Sequence, residues 1–179
     1  MARRTFTRAR DGSLQVTLSS QEAELLVMTA RDMATLVEEP PDDAVRDRLY
    51  PRAYLDPTEE DAQQEFDAVV HGELVGARKR AFESIVSRLE ATEPNRRGNV
   101  ELTLGSEEEA QWLTGVNDAR LVIGTALGVT EDGDTDYERD DPRFEYGLLY
   151  GWLTALHFEL VSLLLDEIGE GGTDDTAAF

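Results

Sequence analysis

The alternation of apolar and polar positions is similar in two segments of the chain, residues 14–26 and residues 100–113. Each segment begins with a short run in which every second residue is apolar, which is typical of a strand with one buried face. A serine and several acidic residues follow, and then an apolar helical pattern, which indicates a capped helix start. The two segments therefore predict two strand–helix units that pack around one core.

A hairpin is predicted before the first of these units. The dipeptide Asp11-Gly12 suits the positive φ angles of a tight turn, and it lies between alternating segments at residues 5–10 and 13–18. The second unit contributes a strand at residues 100–104. These strands together predict a small antiparallel sheet.

Five helices are predicted from apolar positions that recur at intervals of three and four residues. Ser19 with Glu22, and Ser106 with Glu109, have the spacing of a capping box at two of the helix starts. The long third helix has one apolar stripe that runs from Phe66 to Leu89. The predicted helices lie at about residues 20–39, 42–49, 59–91, 107–127 and 142–168.

The last predicted helix is apolar on nearly every side between Tyr146 and Leu165. A membrane span is one interpretation of this segment, since about 20 apolar residues can cross a bilayer. His157 and Glu159 in the middle of the segment favour the other interpretation, a central helix that the remaining helices surround.

The elements together predict an α+β fold that is mostly α, with about five helices around a central apolar C-terminal helix. The small antiparallel sheet combines the N-terminal hairpin with the strand at residues 100–104. We expect residues 1–168 to form a single globular domain and residues 169–179 to form a disordered acidic tail.

The charge of the chain is strongly negative, with 38 Asp and Glu residues against 17 Lys and Arg and a formal net charge of −21. Phosphate contacts need basic surface, so this balance disfavours direct recognition of duplex DNA without excluding it. The chain has no cysteine, which removes disulfides, thiolate nucleophiles and cysteine-based zinc sites. The basic N-terminus has no apolar stretch behind it, so we expect a cytoplasmic protein.

A candidate polar cluster lies in the C-terminal half of the chain. Glu159 is in the most apolar segment, where an unpaired carboxylate would be costly, so a partner is expected. Arg120 is the predicted partner, because it occupies the apolar stripe of the preceding helix. Such a pair is either a structural ion pair or a grip on a ligand. The full candidate cluster is Asn117, Asp118, Arg120, His157 and Glu159.

A second candidate site is basic. Three consecutive basic residues in the third helix and the arginines of the N-terminal hairpin form a positive contact patch if the fold brings them together. In the other interpretation they lie on solvated faces and pair with nearby acids. The candidate contact patch consists of Arg3, Arg4, Arg8, Arg78, Lys79 and Arg80.

Metal-binding and catalytic motifs are weak or missing. Asp132, Asp134 and Asp136 have the spacing of the first ligands of a calcium loop. Tyr137 stands where such a loop needs glycine, and Arg143 where it needs glutamate, so an exposed acidic loop is the better interpretation. The sequence has no glycine-rich phosphate loop and no nucleophile elbow. We therefore expect no metal site, no cofactor and no enzymatic activity.

Two segments carry a resemblance to a known family. Residues 116–121 read VNDARL and residues 148–156 read LLYGWLTAL. With the order of elements around them, they resemble an actinobacterial family described as a domain of unknown function. Its genes commonly neighbour that of the ClpS proteolytic adaptor, and the family is associated with oxidative-stress regulation.

The resemblance covers nearly the whole predicted domain. It places Asn117, Asp118 and Arg120 at the polar cluster of the family, and it brings no catalytic residues with it. A redox-sensing regulator of this type is proposed to work through cysteines, and this chain has none. The resemblance therefore implies partner binding but not a thiol switch.

The leading functional hypothesis is a non-enzymatic cytoplasmic regulator that acts through protein–protein contacts, with the transcription machinery as a candidate partner. An accessory factor of regulated proteolysis is the alternative, suggested by the gene neighbourhood of the family and by the apolar end at Ala177–Phe179. A third hypothesis is a small-ligand-binding domain or enzyme that uses the polar cluster. No membrane partner is expected, and the sequence does not indicate an oligomeric state.

Overall fold

The computed structural model describes residues 4–54, 56–130 and 137–171. It confirms the predicted class, an α+β fold that is mostly helical with a small antiparallel sheet. The predictions for Arg3, for the aspartates of the acidic loop and for the chain beyond residue 171 lie outside the described residues. In chain order the elements are β1 (Phe6–Arg8), β2 (Leu14–Ser19), α1 (Ser20–Leu36), α2 (Asp43–Leu49), a 3-10 turn (Pro57–Glu59), α3 (Glu60–Glu90), β3 (Asn99–Leu104), α4 (Ser106–Leu127) and α5 (Phe144–Gly171).

The three strands form one antiparallel sheet in the order β1–β2–β3. Phe6 pairs with Val16 in the hairpin, and Leu14 pairs with Leu104 in the second ladder. Gly12 has φ of 83°, as the predicted turn requires, but Asp11 does not have a positive φ. The pairing ends at Arg8 with Leu14, so the loop is longer than the predicted tight turn. Alternate residues of β2 and β3 point into the core, so the two strand–helix units pair as the alternation predicted.

The capping box at the start of α1 is confirmed. The Ser19 hydroxyl accepts from the Glu22 backbone N–H at 3.2 Å, and the Glu22 carboxylate accepts from the Ser19 N–H at 2.7 Å. At the start of α4 the prediction is wrong by one residue. The N-cap is Gly105, whose N–H donates to Glu108 at 3.0 Å, and this leaves Glu109 free for another contact.

The core is built around α4, which contacts α1, α2, α3, α5 and β3. Trp112 and Val116 on this helix are fully buried. Gly115 allows α3 to approach closely, because a Cβ atom at this position would lie 2.8 Å from Cδ1 of Ile85. The centre of the fold is therefore the helix that carries the VNDARL segment.

The apolar C-terminal helix is present as predicted, but it lies at the side of the fold and not at its centre. By length and composition α5 is long and apolar enough to span a membrane from Phe144 to Asp166, but it packs on α4 and β1 through Leu153, Leu156 and Leu160. Its opposite face is exposed, with Phe158 at 72%. The helix has two apolar faces, and the residues that the structure describes cover only one of them.

Candidate functional site

The predicted polar cluster is divided among three separate contacts. Asp118 lies on the side of α4 that faces α3, where it is 2% exposed, and Arg78 donates to its carboxylate at 2.5 Å. The other Nη atom of Arg78 donates to the Leu49 carbonyl at 2.5 Å. The guanidinium also lies 5.2 Å from the ring centroid of Tyr50. One arginine thus joins α3 to α4 and to the end of α2.

The electrostatics of this contact follow from burial. Removal from water raises the pKa of Asp118, and the neighbouring Arg78 guanidinium partly opposes that rise. Burial also raises the pKa of Tyr50, whose hydroxyl donates to the Val37 carbonyl at 2.7 Å. A buried pair of this kind fixes how the helices meet, and its charges are not presented to a partner.

Glu159 does not pair with Arg120, so that predicted ion pair is wrong. Its carboxylate accepts from the backbone N–H groups of Thr5 and Phe6 at 2.8 and 3.1 Å. The pattern of one helix could not reveal this partner, because the donors belong to an edge strand whose N–H groups need acceptors. Glu159 therefore attaches β1 to α5.

Arg120 and His157 form the remaining part of the cluster. Arg120 donates to the Asn117 side chain at 3.0 Å, one helical turn before it. Burial and the nearby Arg120 guanidinium lower the pKa of His157, so the imidazole is neutral at neutral pH. Neither residue is in contact with Asp118 or Glu159 through a hydrogen bond among the described residues.

A cleft of about 790 Å³ reaches Arg120 from the outside. It lies between α2, α4 and the beginning of α5, and its walls include Arg48 and Tyr150. The Nε atom of Arg120 is buried and has no hydrogen-bond partner in the part of the chain that the structure describes. The cleft walls also carry Arg48 and Asp47, so guanidinium groups of the kind that bind carboxylate or phosphate oxygens line it beside one carboxylate.

The predicted basic patch is largely taken up by internal ion pairs. Arg8 binds both oxygens of Glu109 at 2.6 and 2.7 Å and so ties β1 to α4, with Glu109 only 7% exposed. Arg78 is used in the same way, and Lys79 pairs with Glu38 at 2.7 Å. Among the residues of the candidate patch that the structure describes, Arg4 and Arg80 are exposed.

The first half of α3 is the exposed feature that the sequence analysis missed. The predicted stripe from Phe66 to Leu89 is buried only from Ala81 onward, with Leu74 on the stripe 38% exposed. Val69, beside the stripe, is 71% exposed. The helix has 31 residues and is roughly 46 Å long, whereas its neighbour α1 has 17 residues and is roughly 25 Å long. The first half of α3 therefore extends past the helices that cover the second half.

We call residues 60–76 of α3 the acidic arm. It contains five acidic residues and no Lys or Arg, together with exposed apolar side chains. Gln63 is buried near the N-terminal end of the arm, where it accepts from the Tyr54 N–H at 3.0 Å and donates to Asp67 at 2.7 Å. The Tyr54 and Phe66 rings meet edge to face. The arm is held at this end by the segment before it and presents a mixed acidic and apolar surface.

Three or more His, Asp or Glu side chains never come together as a metal-ligating group within the described ranges. The described residues form a small α+β domain. The charged side chains that have hydrogen-bond or ion-pair partners in it bind other residues of the same chain. The chain belongs to the family described as a domain of unknown function (DUF2017), which matches residues 3–164.

Curated relatives carry a functional name. The oxidative stress regulators AosR of Mycobacterium bovis and Mycobacterium tuberculosis are each 30% identical to the chain over 137 residues, which is 70% of this chain and 60% of theirs. The AosR protein of Mycobacterium leprae is 29% identical over 136 residues, with the same coverage. The chain thus spans 60% of the length of these relatives. No solved structure matches it.

Proposed function

We propose that this protein is a non-enzymatic regulator of the response to oxidative stress, and that it acts in the cytoplasm through protein–protein contacts. The names of its mycobacterial relatives support the stress-response role. The chain has no cysteine, so the stress signal reaches it through a partner and not through a thiol of its own. The partner we expect belongs to the transcription machinery.

The acidic arm is the observation that carries this proposal. A helix that leaves apolar side chains such as Val69 exposed beside five acids is suited to a partner with a basic rim and an apolar centre. The net charge of −21 adds long-range attraction to such a partner. The association should therefore weaken as salt rises.

The test is a tagged pull-down from the native cytoplasm at moderate and high salt, with mass spectrometry of the retained proteins. The arm variant neutralises three exposed acids, Asp61→Asn, Glu65→Gln and Glu73→Gln. A control variant removes the same charge from another exposed region, with Glu138→Gln, Asp140→Asn and Glu145→Gln. Both variants change the net charge equally, so they separate a specific contact from general electrostatics.

We expect RNA polymerase or a sigma factor to be retained at moderate salt, lost at high salt, and lost with the arm variant but not with the control variant. Equal loss with both variants would contradict a role for the arm. Recovery of protease subunits in place of the transcription machinery would support the alternative function, an accessory factor of regulated proteolysis.

A second candidate function is the binding of a small anionic ligand in the cleft at Arg120. Arg120 and Arg48 on the walls of the cleft favour it, since guanidinium groups bind carboxylate or phosphate. A thermal-shift screen of phosphorylated and carboxylated metabolites tests this function. A hit should lose its effect with Arg120→Met and keep it with Arg80→Met on the exposed face of α3.

A further inference from the structure

The exposed face of α5 is an apolar feature that the proposed function does not use. Leu148, Phe158 and Leu165 on this face are 61%, 72% and 62% exposed. Gly151 and Ala155 lie between them and are also exposed. Their side chains are small or absent, so the middle of the face is a shallow groove between large apolar residues.

The spacing along this face is that of a coiled-coil seam. The positions alternate between steps of three and four residues, which is the a and d pattern of a heptad repeat. A seam of this kind faces a second helix, and within the described residues no element covers it. The six seam positions are Leu148, Gly151, Ala155, Phe158, Ser162 and Leu165.

We propose that α5 pairs with α5 of a second copy of this chain, in antiparallel orientation. In antiparallel coiled coils each a position meets a d position of the other helix. With the two-fold axis passing between Leu156 and His157, Leu148 meets the partner's Leu165 and Gly151 meets the partner's Ser162. The third pair places Phe158 over the partner's Ala155. Large residues thus meet at the ends, and each phenylalanine fills the space above an alanine.

The charge of the face selects a second copy over other occupants. Between Tyr146 and Leu165 the acidic residue is Glu159, and its carboxylate is bound to the backbone of β1. The chain as a whole has 38 acids in 179 residues, so a charge-free face of this length is unusual here. Two copies can meet through such a face without placing like charges in the seam between Leu148 and Leu165.

Other occupants fit this face less well. A partner with a basic surface would find no acids on it. Anionic lipid headgroups attract basic residues, and the sequence of α5 has no Lys or Arg. A second copy requires only the uncharged apolar surface that is present.

The size of the contact sets the design of the test. The seam from Leu148 to Leu165 is about 26 Å long, since each helical residue rises 1.5 Å. Contact over this length is near the lower end of specific interfaces, about 1,000 Å² in total, so we expect a concentration-dependent dimer. Sedimentation equilibrium of the full chain across the micromolar range measures it.

The wild-type protein should shift from monomer to dimer with concentration, and Phe158→Glu should remain monomeric at every concentration. Val69→Glu is the matched control, because it places the same charge at an equally exposed apolar position on the acidic arm. It should dimerise as the wild type does. Circular dichroism of both variants checks that their helix content is unchanged.

Disulfide cross-linking tests the orientation of the two helices. The sequence has no cysteine, so an introduced cysteine can form a disulfide only with another introduced cysteine. Protein with Leu148→Cys is mixed with protein with Leu165→Cys under mild oxidation. Antiparallel pairing predicts mixed disulfides between the two variants, because the two copies of residue 148 lie about 26 Å apart. Disulfides between identical variants would show parallel pairing and contradict the proposed arrangement.

A wild-type protein that stays monomeric would overturn the proposal. So would a dimer that Phe158→Glu does not affect. Binding to uncharged phosphatidylcholine vesicles that is lost with Phe158→Glu would assign the face to a membrane and would overturn it as well. None of these results bears on the acidic arm, so the proposed function is tested separately.

Discussion

Replacing Arg78 by methionine should destabilise the protein strongly, because the buried carboxylate of Asp118 loses its ion-pair partner. Asp118 is 2% exposed, and its partner holds it at 2.5 Å. Breaking one side of a buried pair costs about 3–5 kcal/mol of the free energy of unfolding. For a domain of this size that corresponds to a fall in melting temperature of roughly 6–20 °C. Urea unfolding monitored by circular dichroism measures the loss.

The cost of Arg78→Met should depend on pH in a defined direction. Burial already raises the folded-state pKa of Asp118 above the usual range of an aspartate, and removing the guanidinium raises it further. A carboxyl with a raised folded pKa favours folding when protonated, so its unfavourable contribution grows as pH rises through the folded pKa. The difference from wild type should therefore be largest near neutral pH and should shrink as pH falls toward about 4.

Two variants make this reasoning refutable. Lys79→Met breaks the neighbouring ion pair between Lys79 and Glu38, whose side chains are 40% and 46% exposed. This substitution should lower the free energy of unfolding much less than Arg78→Met does. Adding Asp118→Asn to Arg78→Met removes the buried charge and should recover part of the stability at neutral pH. A loss for Arg78→Met that equals the loss for Lys79→Met, or that does not change with pH, would refute the account.

Three further substitutions test positions on α3, α4 and α5. Glu159→Gln should weaken the attachment of β1 by about 1–2 kcal/mol, seen as faster amide hydrogen exchange at Thr5 and Phe6. Unchanged exchange there would show that this carboxylate does not hold the strand. Gly124→Ala should destabilise the protein by about 1–3 kcal/mol, because its Cβ would lie 2.7 Å from a tyrosine ring of α5. Gly72→Ala meets no atom within 4 Å and should leave the protein unchanged or more stable by up to about 1 kcal/mol.

Local sequence signals predicted the parts of the fold that depend on neighbouring residues. The hairpin at Gly12, the capping box of Ser19 with Glu22, and the pairing of the two strand–helix units all follow from short-range rules. The start of α4 was displaced because Ser106 has the hydroxyl that a capping box needs, whereas the observed N-cap, Gly105, has no side chain. Glycine also serves as an N-cap, and here only the Glu108 carboxylate, which accepts from the Gly105 N–H, marks the helix start.

The partners of charged side chains were beyond such rules. Arg78 and Asp118 are 40 residues apart, and Arg8 and Glu109 are 101 apart, so only the assembled fold brings them together. The preference for Arg120 as the partner of Glu159 considered side chains alone and left out the backbone donors of β1. A charged residue in an apolar stripe is expected to have a partner, but the pattern of the stripe does not indicate which residue that partner is.

The burial of long apolar segments was also misjudged for a physical reason. Periodicity shows that a helix has an apolar face but not whether another element covers it. The first half of α3 and the outer face of α5 both have apolar positions at helical spacing, and both are exposed at Val69 and Phe158. These uncovered faces are where we place the partner contact and the self-association.

The most direct test of the regulatory role is a transcriptome of the native organism after a peroxide challenge, with the gene replaced by the arm variant or by the control variant. Protein abundance is measured in parallel, so that a loss of stability is not mistaken for a loss of function. We predict that the arm variant abolishes the difference between wild type and a deletion strain, and that the control variant preserves it. A normal response with the arm variant at normal abundance would contradict regulation through the acidic arm.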